Sequence, residues 1–307
     1  MSLFLQSVYL SAMLSLLYIF LLYRSHPFRR LPAVPTVLAF AAGMVSVLLV
    51  SAIRRIVPIA PIDSSVASLF SAAAIEETAK LLLALAVIFR LRFPNVAEPM
   101  DVAIYLGVLG VGFGIYEDFW YIFSTSYPSW IGGDVGRFNE IFRGIALARA
   151  FPGHILFNGI SGFLLGRAVF ARGLGRATWA LGGLALATLL HAGFNGLAVL
   201  DQPFLLLTYV ILLVGLFLGL RRGAKARSPF SALIRYLESG QKPDHAWALK
   251  RAPSDYLLAE GFAWPGRRRG GLFQFYPVIL SLCILFPLLL IIVYLANRVV
   301  TLGASPA

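Results

Sequence analysis

Charged side chains are scarce in this chain. Asp, Glu, Lys and Arg make up 13% of its 307 residues, where an ordinary soluble domain carries about a quarter. Cysteine is nearly absent: Cys283 stands alone, so no intrachain disulfide can form. Several motifs are missing as well. Without HExxH the usual zincin arrangement is excluded, without GxSxG a serine nucleophile elbow, and without GxxxxGK[ST] a phosphate-binding loop. Cys283 has no histidine near it in sequence to activate it. The N-terminus lacks both a basic n-region and a small-residue cleavage site, so residues 2–23 are expected to be a retained first span.

What fills the chain instead is apolar. Hydrophobic residues reach 59% and the mean hydropathy is +0.81. The apolar runs are long enough for helices rather than barrel strands, which predicts an all-α, polytopic membrane helix bundle. Eight segments come near the roughly 20 apolar residues that a span needs: 2–23, 33–53, 64–89, 101–123, 140–167, 177–200, 203–220 and 272–297. Arg143, Arg149 and Pro152 interrupt the fifth, and Pro152 is expected to kink or break it. The expected organisation is a core over 1–220, a basic loop over 221–271, and a further span with a short tail over 272–307.

The net charge of +12 does not point to nucleic acid, because the basic residues flank the apolar runs. They act as topology signals and headgroup contacts in the lipid bilayer. Arg24, Arg29, Arg30, Arg90, Arg92, Arg167, Arg172, Arg176 and the many Lys and Arg of 221–271 fall in alternate connections. The others hold only Arg54, Arg55, Arg137, Arg143 and Arg298. This bias places the N-terminus outside and the 221–271 loop in the cytoplasm. That loop is expected to form one or two short amphipathic helices against anionic lipid.

Against this apolar background a few ionisable residues stand out. Glu76, Glu77 and Lys80 interrupt the third span, Glu117 and Asp118 the fourth, His154 and Asn158 the fifth, and His191 and Asn195 the sixth. A charge at bilayer depth costs about 2.5–3.5 kcal/mol on insertion scales, so such groups face a protein interior or a wet cavity. A rise of about 1.5 Å per residue puts them in one depth band, which predicts one shared, outward-opening cavity. Lys80 lies at i,i+4 from Glu76 and i,i+3 from Glu77, so it reaches either carboxylate; Phe113 shares a face with Glu117. The pattern His-x-x-Phe-Asn-Gly occurs twice, at His154–Gly159 and His191–Gly196. Glycines near these positions permit close helix approach.

Paired carboxylates with a lysine suit acid/base chemistry, since one group can stay ionised while its neighbour is protonated. Two histidines with glutamates can also bind zinc. Transport is an alternative use, with the cluster as a proton relay or coupling-ion site; a non-catalytic scaffold is another. Arg149 is expected to be a structural charge partner for a glutamate, and Asp118 a solvated or capping residue.

The motifs resemble those of the PrsW-type intramembrane proteases. Glu76-Glu77-Thr78-Ala79-Lys80 is similar to their EExxK signature, and Phe113-Gly114-Ile115-Tyr116-Glu117 to their FxxxE element. His154 and His191-Ala192-Gly193-Phe194-Asn195 resemble the histidine motifs that follow. The resemblance covers about residues 1–220. It implies an endopeptidase related to the CAAX-processing and Abi proteases, acting on a membrane-anchored protein such as an anti-sigma factor in a bacterial cytoplasmic membrane. The expected catalytic set is Glu76, Glu77, Lys80, Glu117, His154, His191 and Asn195. In it Glu77 or Glu76 is the base, Lys80 its electrostatic partner, Glu117 and His154 the water-positioning or proton-donating groups, and His191 and Asn195 the oxyanion donors. No cofactor is required by this scheme; were it metal-dependent, Glu77, Glu117, His154 and His191 would be the zinc ligands.

Overall fold

The computed structural model describes residues 3–26, 31–56, 65–89, 96, 98–134, 136–140, 153–200, 202–226, 228 and 230–231. These residues form an all-helical bundle: α1 (Leu3–Ser25), α2 (Ala33–Ile56), α3 (Val66–Ala84), α4 (Pro99–Ile131), α5 (Gly153–Phe170), α6 (Leu174–Val199) and α7 (Pro203–Ala226). α3 starts where the Ser65 hydroxyl accepts the Ser68 N–H at 3.2 Å, as expected for an N-cap. It ends in a π-helical turn, Leu85–Phe89. Pro99, at the first position of α4, has no N–H to leave unsatisfied there.

Four of these helices are long and apolar enough to cross a membrane: α2, α4, α6 and α7. α3 and α5 are not among them, because they carry the buried polar groups: Glu76, Glu77 and Lys80 on α3, His154 and Asn158 on α5. Several boundaries differ from the hydropathy windows. α4 runs through Pro128 to Ile131, and its 33 residues span about 50 Å, more than the ~30 Å hydrocarbon core. α7 continues to Ala226, so the polar connection begins later than residue 221. Arg149, Pro152, nearly all of the 221–271 loop and the span expected at 272–297 lie outside the described residues.

α4 is the central helix, with 94% of its apolar window buried. It packs on α1, α2 and α5, and glycines let it do so. A Cβ on Gly112 would collide with the Phe40 carbonyl of α2, and one on Gly43 with the Leu109 carbonyl of α4. Small residues of this kind replace the hydrophobic drive that lipid does not supply between helices. α6 and α7 are peripheral. Leu181, Leu189, Phe204, Ile211 and Leu212 are exposed along them, an apolar face suited to acyl chains.

At the N-terminal end of α4, a second polar cluster joins three residues that composition alone did not bring together. His26, just past α1, meets Glu98 and Asp101, and all three are buried. Burial works against a charged imidazole, but the Asp101 and Glu98 carboxylates facing its Nε2 outweigh it and hold the His26 pKa above its ordinary value.

Candidate active site

The acidic and imidazole groups of α3, α4, α5 and α6 meet in one connected network. Lys80 Nζ donates to Glu77 Oε1 at 2.7 Å and lies 3.0 Å from His154 Nδ1. A lysine ammonium only donates, so His154 Nδ1 accepts. His154 Nε2 therefore carries the hydrogen and donates it to Glu117 Oε2, 2.7 Å away. Phe113 underlies Lys80, its ring centroid 3.9 Å from Nζ, in cation–π contact.

His191 is held from the other side of the same carboxylate. Its Nδ1 donates to Glu77 Oε1 at 2.9 Å, which leaves the Nε2 lone pair facing Glu76 Oε2 across 3.7 Å. Phe157 stacks on the His191 ring at 5.2 Å, and the two imidazoles sit edge to face at 4.8 Å. Glu76 Oε2 is buried with no hydrogen-bond partner, while Glu76 Oε1 accepts from Arg54 Nη2 at 2.9 Å. Arg54 lies in the last turn of α2. Sequence reasoning assigned it to topology, because nothing in its position marks a reach of 22 residues to Glu76.

A cavity of about 40 Å³ adjoins the network, room for a few waters where one needs about 10–15 Å³. Glu117, His154, His191 and Asn195 line it. Glu76, Glu77 and Lys80 are not in its lining; the two histidines stand between them and the open space. The cavity thus takes in Glu117, His154, His191 and Asn195 but not Glu76, Glu77 or Lys80. Asp118, expected to be solvated or capping, lines the cavity beside Glu117. The groove there is bordered by Tyr18 of α1 as well as by α5, so two adjacent α4 positions both reach it.

Residues 31–220 match the sequence model of the PrsW family, described as intramembrane metalloproteases. The chain belongs to the PrsW family. No curated protein and no solved structure matches it. Membership makes this PrsW-family chain an integral membrane hydrolase, an intramembrane protease acting on protein within the bilayer. The residues present fit the metal in the family's description. Glu76, His154 and His191 each offer a ligand atom within 4.8 Å of one another. Glu76 Oε2 is an orphaned buried carboxylate oxygen aimed at a free imidazole lone pair, and Glu77 holds the far side of His191 as metal-binding histidines require. His154 commits both nitrogens, to Lys80 and to Glu117, so it would release one of them to bind a metal.

Proposed function

We propose that this network is the peptidase centre and that it cleaves a membrane-anchored signalling protein, such as an anti-sigma factor, near the outer face of a bacterial cytoplasmic membrane. The observation that carries the reading is the 3.7 Å gap between Glu76 Oε2 and His191 Nε2. Two buried lone-pair-bearing atoms face each other there.

Glu76, His154 and His191 are the residues that would hold a divalent ion, zinc by the nature of the donor set. Such an ion, when bound, acidifies a water and polarises a carbonyl. The chain's own groups divide the remaining work. Glu77 accepts from both Lys80 and His191 at Oε1, which suits it to holding His191 in one tautomer. Glu117 opens on the cavity and pairs with His154. It takes a proton from the attacking water and passes it to the leaving amine, held in place by the His154 Nε2–H. Asn195 lines the same space and can donate a hydrogen bond to the substrate carbonyl.

The Lys and Arg distribution supports an external N-terminus with 221–271 in the cytoplasm. On that topology α4 runs outward, and Glu117 lies toward the external surface. Co-expression with candidate single-span proteins tests the reading, using wild type, Glu117→Gln and His191→Ala, with a chelator arm. Loss of the general acid–base group lowers cleavage by about 10²–10⁴-fold. Wild-type rates in both folded variants would refute the assignment. Proton-driven flux in vesicles with no peptide cleaved would favour a transporter.

A further inference from the structure

We propose that His26, Glu98 and Asp101 form a second divalent-cation site, of the first-row transition-metal type, at the opposite end of α4 from the peptidase network. Asp101 and Glu117 are separated by about 24 Å along the helix, so the two sites share no residue. The inference does not depend on the peptidase reading.

The start of α4 builds the site. Asp101 Oδ2 accepts the Glu98 N–H at 2.9 Å, and the Asp101 N–H donates back to the Glu98 carbonyl at 3.1 Å. This reciprocal pairing closes the first turn and fixes the Asp101 side chain and the Glu98 backbone. It leaves Asp101 Oδ1 at 3.0 Å and Glu98 Oε1 at 3.2 Å from a single atom, His26 Nε2. The three ligand atoms lie within 4.8 Å of one another. Relative exposures are 4% for His26, 2% for Glu98 and 0% for Asp101.

One imidazole nitrogen carries at most one hydrogen, and Asp101 Oδ1 takes it in hydrogen-bond geometry. Glu98 Oε1, fully buried and aimed into the same point, is left with no hydrogen-bond partner. A buried carboxylate oxygen in that position is costly. A divalent ion held by all three side chains would give that oxygen a partner. One imidazole with two carboxylates suits zinc or manganese. The ion would tie the connection after α1 to the first turn of α4, a structural role.

The test uses the full chain in detergent, carrying Glu76→Gln and His191→Ala so that the peptidase network retains no complete ligand set. The stripped protein is titrated with zinc, and separately with manganese, and bound metal is counted after desalting. The expected result is about one ion per chain, with release of bound protons on uptake. Glu98→Gln added to this background keeps the side-chain shape; it should lower affinity at least about tenfold. It should also abolish the rise in thermal midpoint that the metal produces. No metal bound to the folded double variant would overturn the proposal. Equal binding with and without Glu98→Gln would overturn it too, as the ion would then sit elsewhere.

Discussion

Lys80 is the residue whose replacement tests the network most directly. It is 1% exposed and makes three contacts: Glu77 Oε1 at 2.7 Å, His154 Nδ1 at 3.0 Å and the Phe113 ring at 3.9 Å. Lys80→Met keeps the volume and removes the charge. At an effective dielectric near 20, the attraction across 2.7 Å is about 6 kcal/mol. Desolvation of the pair offsets part of this, and removing one partner of a buried pair typically costs about 3–5 kcal/mol. Lys80→Met should therefore destabilise the protein by about 3–5 kcal/mol in equilibrium unfolding in detergent. The decisive comparison is the double variant Glu77→Gln/Lys80→Met. With no charge stranded, it should recover most of the lost stability. Its activity should not recover, because neither His154 nor His191 is then held as before. If the single variant matches wild type, or the double variant is as unstable as the single one, the pair does not anchor the site.

Other outcomes follow from particular contacts. Gly112→Ala should cost about 1–3 kcal/mol or more, since the new methyl meets the Phe40 backbone; Gly215→Ala, with nothing within 4 Å, is the neutral control in the same melts. Arg54→Gln should shift stability by less than about 1 kcal/mol, because its side chain is 37% exposed and solvent screens the pair with Glu76. A loss well beyond that in the same unfolding assay would show that Arg54 is effectively buried. In metal-free protein the raised pKa of His26 fixes a sign. The stability it contributes is complete below its ordinary value of 6.5 and is lost as pH rises through the raised folded value. The difference in thermal midpoint between wild type and His26→Gln should therefore shrink towards alkaline pH, and a difference that grows would contradict the contact.

The parts of this structure that were legible in the sequence are those where polarity breaks an apolar pattern. Glu77, Lys80, His154 and His191 were visible because, apart from Glu76 beside them and Arg167 and Arg176 near helix ends, nothing else in their helices is charged or imidazole-bearing, and helical spacing alone places Lys80 beside Glu77. Helix ends were less legible. Hydropathy marks the apolar window and not the last backbone hydrogen bond, so α4 and α7 outrun their windows into residues that water or headgroups can solvate. The direction of each hydrogen bond was hidden as well. That Glu77 is shared by two donors while Glu76 keeps one free oxygen depends on side-chain paths through three dimensions. Arg54 and the His26–Glu98–Asp101 cluster were hidden for a related reason. They lie at helix ends, where charged residues are ordinary, and only tertiary packing distinguishes a buried one from a solvated one.

The burial of α4 has a mechanical consequence. A helix enclosed over its apolar window behaves as an axle, and the carboxylate and imidazoles mounted on and against that window are held by packing on every side. The void beside Glu117 has room for a few waters, so on the peptidase reading proposed above a substrate would have to part the surrounding helices before meeting the network. Control over which proteins are cut, and how often, then belongs to the periphery of the bundle and to the lateral pressure of the bilayer squeezing it closed.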